Sequence, residues 1–378
     1  MAETLEITIP AQLLPIDGRF GAGPSKVREE QIAALAKVSR SVLGTSHRQK
    51  PVKNEVARLR AGVAKLFNLP EGYEVVIGNG GSTAFWEVAV FGLIRDRAQF
   101  LSFGEFGSKF AASAKEAPFL GEPTVLKGEP GDAPAFAAEV GIDAYCSPHN
   151  ETSTGVAITP VRPVGADDDA LVIIDATSGA GGLAVDLTEV DVYYFSPQKC
   201  FGSDGGLFIA LMSPRAIARA EEIKASGRYI PAFLDLMTAI ENSRLEQTYN
   251  TPALATIIMA AEQVDWFNAN GGLAWCVARS TESSSAIYDW AQASEIATPY
   301  VSDPAKRSKV VATIDFVDEI DATVIAKVLR ANGIVDVEPY RKLGRNQLRI
   351  SVFPAVEPSD VQQLLKSIDY VVTQLTKS

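Results

Sequence analysis

The run Leu171-Val172-Ile173-Ile174-Asp175 is apolar at four successive positions and then closes on a carboxylate. A strand with one wet face alternates apolar and polar residues. An unbroken β-branched run instead reads as a central strand covered on both faces. Strands of that kind belong to parallel sheets, whose crossover connections lay helices on either side. The neighbouring segments agree. Strand patterns at 73–77, 99–103, 124–127, 143–147 and 206–212 alternate with helical ones at 27–38 and 84–94. Val52, Val56, Leu59, Val63 and Leu66 recur at spacings of three and four, which is one face of a helix. A second buried run, Tyr193-Tyr194-Phe195, stops at Ser196-Pro197-Gln198-Lys199, and a glycine-rich stretch through Gly205-Gly206 follows. Parallel sheets bind ligands at the carboxyl ends of their strands. Asp175 and Lys199 both stand at such an end.

The pattern changes after the helical stretch 252–267, which Asn270-Gly271-Gly272 terminates. Beyond it come a helix at 273–290, a strand at 309–316, a helix at 322–331, a strand at 347–352 and a last helix at 360–376. Ser359 and Gln362 have the spacing of a capping box for that last helix. The expected fold class is therefore α/β, a large domain with a mostly parallel sheet followed by a smaller C-terminal α+β domain. The expected division is an N-terminal segment 1–24, a large domain 25–268 and a small domain 269–378.

Charge and composition narrow the function. With 35 basic against 46 acidic residues the formal charge is -11, which disfavours nucleic acid or an anionic membrane as a partner. Three cysteines give neither a disulfide framework nor a CxxC pair, and with two histidines a metal site is not expected. Met1-Ala2-Glu3-Thr4-Leu5-Glu6 lacks the basic and apolar regions of a secretory leader, and no apolar run reaches membrane-span length. The expectation is a cytoplasmic enzyme.

Three features carry chemistry, each with a plainer reading beside it. Lys199 places an amine on rigid backbone near glycines that let a ligand approach. It is either the partner of an aldehyde cofactor or a surface lysine. Gly78-Asn79-Gly80-Gly81-Ser82-Thr83 lies between a strand and a helix, where backbone N–H groups can cradle a phosphate; otherwise it is a turn. It does not follow the GxGxxG dinucleotide pattern. Asp175 is either an acid facing a ligand or half of a structural ion pair. Taken together they match what pyridoxal phosphate asks of a protein: a lysine for the aldehyde, an acid for the pyridine nitrogen and a phosphate cradle.

With these residues the sequence resembles the phosphoserine aminotransferases, class V members of the fold-type I pyridoxal phosphate enzymes. The resemblance rests on Phe20-Gly21-Ala22-Gly23-Pro24, Ser46-His47-Arg48, His149-Asn150-Glu151-Thr152, Ile174-Asp175-Ala176-Thr177-Ser178, Ser196-Pro197-Gln198-Lys199 and Tyr249-Asn250-Thr251-Pro252, and it spans nearly the whole chain. The versions here are most similar to the actinobacterial branch. The resemblance implies transamination between 3-phosphohydroxypyruvate and glutamate, giving phosphoserine and 2-oxoglutarate in serine biosynthesis. It leaves open action on the phosphorylated threonine analogue of vitamin B6 synthesis. By the same resemblance Lys199 would form the Schiff base and later carry the α-proton, with Gln198 beside it and Asp175 on the pyridine nitrogen. Thr152 would donate to the phenolate oxygen, Gly81 and Ser82 would hold the phosphate, and Phe106 would stack on the ring. Asn250 and Thr251 would reach the cofactor of the partner subunit in a homodimer. Arg349 would take the substrate carboxylate. His47, Arg48 and Arg341 would take its phosphate, Arg341 from the partner chain, with Lys342 and Arg345 competing for that last role. The chain departs from other branches in having Ser82 where they carry arginine and Tyr340 where they carry histidine. Ala22 stands where serine is common.

Two rivals belong beside this reading. Another class V enzyme, an alanine–glyoxylate-type transaminase or a cysteine desulfurase, shares the cofactor set; a desulfurase would stack a histidine on the cofactor and carry a mobile cysteine. A binding protein that kept the fold would not need the acid at Asp175.

Overall fold

The computed structural model describes residues 7–377; the leader reading of residues 1–6 lies outside them. The strands are β1 Glu74–Gly80, β2 Ala98–Ser102, β3 Thr124–Lys127, β4 Ala144–Pro148, β5 Asn150–Glu151, β6 Val156–Ala157, β7 Leu171–Asp175, β8 Val192–Phe195, β9 Gly206–Met212, β10 Ala297–Pro299, β11 Val311–Phe316 and β12 Gln347–Ser351. The helices are α1 Glu29–Lys37, α2 Lys50–Leu66, α3 Ser82–Gly92, α4 Glu105–Glu116, α5 Pro214–Ala225, α6 Leu236–Arg244, α7 Leu254–Ala269, α8 Gly272–Ala293, α9 Ala322–Ala331 and α10 Pro358–Leu375.

A seven-stranded sheet, in the order β1-β9-β8-β7-β4-β2-β3, forms the centre. Only β9 runs against its neighbours; β3, β2, β4, β7 and β8 are parallel. Alternation along β7 explains why every residue of its run is apolar. Val172 and Ile174 face a core built with α2 and α7, where Val56, Leu59, Val63, Ile257 and Val264 are buried. Leu171 and Ile173 face the opposite core, built with α3 to α6, where Phe85, Trp86, Phe110 and Ile240 are buried. β8 repeats the division, Tyr193 and Phe195 to one side and Val192 and Tyr194 to the other. Each large apolar side chain so buried is worth about 1.5–3 kcal/mol, and both faces of the strand contribute.

A second core collects α8 to α10 and the antiparallel sheet β10-β11-β12. Ile9 and Phe20 belong to it, so the stretch 7–24 packs on the C-terminal elements rather than standing apart. α8 reaches both bodies. Cys276 near its start lies in the large core, while Ile287 and Ala291 near its end lie in the small one. The capping box expected at Ser359 is not formed. Pro358 occupies the first turn of α10 after Glu357, which makes no side-chain cap, and proline with its fixed φ opens a helix without one. Sequence periodicity also leaves out α4, α5 and α6, and α4 is the one that carries Phe106.

Candidate active site

Three chain ends meet above the carboxyl edge of the sheet. β1 passes into α3 through Gly80 and Gly81, which adopt φ of 122° and 127°, a region that favours glycine. No side chain caps α3, so its first N–H groups remain available. β7 delivers Asp175. β8 ends at Phe195, and the turn after it delivers Lys199. Together they wall a cavity of about 330 Å³ lined by Gly80 to Thr83, Trp86, Phe106, Pro148, Asn150, Thr152, Asp175, Thr177, Ser178, Ser196, Gln198, Lys199, Gly205 and Gly206.

Lys199 is buried, and its Nζ donates to the carbonyl of Ala22 at 2.8 Å and to Thr152 Oγ1 at 3.1 Å. The N-terminal stretch crosses directly over it. A Cβ on Gly23 would stand 2.9 Å from Lys199 Cε, and Gly23 has φ +128°. Ser25 N donates to Gln198 O at 2.9 Å and fixes the same turn. Burial, and next the charge of Arg349, pull the Lys199 amine down to about 8, against the opposing pull of Asp175 and Glu151. The amine lies 5.6 Å from the centre of the Phe106 ring.

Phe106 is held by a fully buried carboxylate. Glu151 on β5 accepts from the N–H groups of Phe106 at 3.1 Å and Gly107 at 3.0 Å, and from Ser153 Oγ at 2.7 Å. It caps the first turn of α4, where negative charge is favoured. Burial raises its pKa, while these donors lower it. Asp175 receives Trp86 Nε1 at 2.9 Å on Oδ2, and Thr177 N at 3.0 Å with the Thr177 hydroxyl on Oδ1. No arginine pairs with Asp175 among the described residues, so the ion-pair alternative falls. Thr152 Oγ1 lies 2.9 Å from Ser178 Oγ, which also accepts from Asn150 Nδ2 at 2.8 Å. Sequence reasoning gave no role to Trp86, Asn150, Glu151, Thr177 or Ser178. All but Trp86 stood in the quoted motifs, within three residues of Thr152 or Asp175; Trp86 follows Ser82 by one helical turn.

The expected substrate residues separate into two groups. Arg349 on β12 is half-buried, and its Nη1 donates to Thr152 O at 3.3 Å beside the cavity. The segment carrying Arg341 docks on its own chain. Tyr340 lies 6.2 Å from Phe106 and 5.4 Å from the Arg349 guanidinium, ring centres being the reference, and Lys342 pairs with Glu105. Its neighbours on both sides are thus held by Phe106 and Glu105 of the same chain, while Arg341 itself is not among the residues lining the cavity. Arg345 is occupied by Asp315. Arg341 is exposed and makes no hydrogen bond or ion pair among the described residues. His47, Arg48, Asn250 and Thr251 do not line the cavity. They form an outlying group in which Arg48 bonds the carbonyls of Thr248 at 3.2 Å and Tyr249 at 2.9 Å, and Thr251 Oγ1 lies 3.4 Å from His47 Nδ1.

Comparison with known proteins then decides the family. The model of the family described as Aminotransferase class-V matches residues 142–364, more than half of the chain. A phosphoserine aminotransferase of Rhodococcus jostii is 62% identical over 367 residues, covering 97% of this chain and 98% of the relative. The chain belongs to the class V aminotransferases, in their phosphoserine aminotransferase branch. Among solved structures it is similar to a phosphoserine aminotransferase from Cytophaga hutchinsonii, at a TM-score of 0.87 and 22% identity, covering 94% of this chain and 99% of that one. A phosphoserine aminotransferase from Trichomonas vaginalis with pyridoxal phosphate bound superposes at a TM-score of 0.77 and 20% identity, over 93% and 99% of the two chains. At those identities the structures speak for the fold, which is that of the fold-type I enzymes. The chain is thus a pyridoxal phosphate-dependent transaminase.

Proposed function

We propose that the chain exchanges an amino group between phosphoserine with 3-phosphohydroxypyruvate and glutamate with 2-oxoglutarate, as a cytoplasmic homodimer with shared active sites. The observation that carries this reading is the enclosure, in one cavity, of a buried Lys199 amine, a donor-clamped Asp175 and the uncapped start of α3.

The residues present fit the cofactor. The cavity has the size usual for a small-molecule site. Gln198 Oε1 and Asn150 Oδ1 on its wall are buried without hydrogen-bond partners, a state that is costly unless a ligand completes it. Lys199 would hold the aldehyde, Asp175 the pyridine nitrogen, Thr152 the phenolate oxygen, and Gly81 and Ser82 the phosphate, with Phe106 over the ring. Bound there, pyridoxal phosphate supplies a carbonyl that takes up the amino group and a ring that accepts the electron pair left at the α-carbon.

The rest is the work of the protein. The Lys199 amine, brought down toward neutrality, is a usable nucleophile and can hold the α-proton on Nζ. Arg349 offers a planar guanidinium to the α-carboxylate. Arg341, exposed and uncommitted, is offered to the substrate phosphate. His47, Arg48, Asn250 and Thr251 serve the cavity of the partner subunit, which accounts for their standing together away from their own. Phe106 keeps water from the reacting face. The desulfurase rival lacks support: Cys146, Cys200 and Cys276 are all buried, and burial holds their thiols up.

The deciding experiment offers phosphoserine, serine, alanine and cysteine in turn with 2-oxoglutarate. Glutamate should form with phosphoserine far faster than with the others. Alanine or serine turned over as fast as phosphoserine would overturn the substrate assignment. Sulfide released from cysteine would move the chain to the desulfurases. No helix among the described residues is long and apolar enough to cross a membrane, which agrees with the proposed location without deciding it.

A further inference from the structure

We propose that Trp86 is a positioning residue for the reaction: its indole N–H sets the Asp175 carboxylate in the orientation that meets the cofactor's pyridine nitrogen. The inference rests on the reading of Asp175 given above.

Both partners are buried, Trp86 at 5% and Asp175 at 7% exposure, and both line the cavity. Nε1 stands 2.9 Å from Oδ2. An indole N–H can only donate, and when buried it needs an acceptor. A carboxylate at a strand end can turn about its last bond unless donors fix its plane. Here they come from opposite sides, Thr177 on Oδ1 and Trp86 on Oδ2. Each oxygen accepts about two hydrogen bonds. Thr177 fills Oδ1 with its N–H and its hydroxyl, whereas Oδ2 keeps one position beside the indole. The donors therefore decide both which oxygen meets the ligand and in what direction.

The indole is itself held. Its plane lies nearly parallel to Phe110, at 16° with centres 6.3 Å apart, and Phe110 in turn packs edge-on against Tyr194 and Phe100. Tyr194 is the register partner of Asp175 across β7 and β8, and its hydroxyl is buried with no hydrogen-bond partner. After burial, the Asp175 carboxylate raises the Tyr194 pKa both by its charge and as an acceptor within loose hydrogen-bonding reach of the hydroxyl. The indole therefore holds Oδ2 in a place where a second donor waits. Without Trp86, Tyr194 can draw the carboxylate away from the cavity. Trp86 also lies one helical turn after Ser82. One helix thus presents N–H groups to the phosphate end of the cofactor and fixes the acid at its pyridine end.

The test uses the holoenzyme with pyridoxal phosphate labelled with ¹⁵N in the ring, in the parent, Trp86→Phe, Trp86→His and Asp175→Asn. Phenylalanine keeps a ring over Phe110 and loses the donor, whereas histidine is smaller but restores one. In Trp86→Phe the nitrogen resonance should move toward that of unprotonated pyridine, and the dissociation constant of the cofactor should rise about tenfold, the scale for losing one hydrogen bond to a charged group. Trp86→His should lie closer to the parent on both measures, an order that loss of packing alone would reverse. In the Asp175→Asn background, Trp86→Phe should change the constant less than twofold. A parent-like nitrogen resonance in Trp86→Phe, with Asp175→Asn shifted, would overturn the role of Trp86 alone. A parent-like resonance in Asp175→Asn would overturn the reading of Asp175 beneath it. Should Trp86→Phe not fold, the four indole N–H signals of the parent remain. One of them should move in Asp175→Asn, and if none moves the bond is absent and the proposal fails.

Discussion

Replacing Lys199 with methionine should stabilise the ligand-free protein, and by an amount that depends on pH. The folded amine titrates near 8 against an ordinary 10.5, chiefly because it is buried. A factor of ten in proton affinity is about 1.4 kcal/mol, so carrying the buried ammonium costs about 3 kcal/mol. Below pH 8 the amine is charged in both states and the fold bears the whole cost. Between 8 and 10.5 the unfolded chain keeps the proton while the folded chain has lost it, so stability rises with pH. Above 10.5 both are neutral and the cost is gone. Methionine has no proton to lose. The gap in unfolding free energy between Lys199→Met and the parent should therefore be largest near pH 7 and shrink by about 3 kcal/mol by pH 10.5. The hydrogen bonds from Nζ to Ala22 and Thr152 stabilise the parent, and they set the offset of the gap more than its slope. Urea unfolding of cofactor-free protein at one fixed concentration measures it, since the stability of the proposed dimer would depend on concentration. A gap constant from pH 7 to 10.5, or one that widens, would show that the buried ammonium does not carry this cost.

Asp175→Asn should still bind the cofactor but slow single-turnover α-proton transfer by several orders of magnitude, the scale for loss of a key electrostatic partner; rates near the parent's would contradict its role. Lys199→Ala mixed with Arg48→Ala and allowed to exchange subunits should recover up to about a quarter of parent activity, because one site of each hybrid is intact. Lys199→Ala mixed with Arg341→Ala should likewise recover up to about a quarter if Arg341 reaches the partner's site, as the resemblance implies; no recovery would assign it to its own chain. Glu151→Ala should destabilise the fold by about 2–3 kcal/mol in urea titrations, as it strands the buried N–H groups of Phe106 and Gly107, and a loss under 1 kcal/mol would show that water replaces the cap.

The positions of the candidate cofactor residues Asp175 and Lys199 were legible because each follows from a strand and its end. Leu171–Ile174 requires cover on both faces, which places Asp175 at a carboxyl edge, and Tyr193–Phe195 places Lys199 beside it. α4 was not legible. Its apolar face reduces to Phe110, Ala111 and Ala114, and its first turn is capped by Glu151, 45 residues from Phe106 and 44 from Gly107, rather than by a local serine or aspartate. Phe106 was reached through resemblance alone. The docking of the segment 340–342 lay beyond local pattern as well, because it depends on Tyr340 meeting Phe106 and on Lys342 meeting Glu105, pairs more than 200 residues apart.

The charges around the cavity explain how a chain of net charge -11 can favour an anionic substrate. Most cations near the site are already paired: Lys342 with Glu105 and Arg345 with Asp315. Arg341 is left exposed and unpaired. Arg349 bonds only the carbonyl of Thr152, and its buried Nε has no partner. Field near the site therefore depends on the few uncommitted guanidinium groups more than on the total charge. Arg349 also carries a second effect. Its charge is the largest cause, after burial, of the lowered affinity of Lys199 for protons. A substrate carboxylate seated on Arg349 cancels part of that repulsion. The amine would then regain part of its affinity for protons while substrate occupies the site.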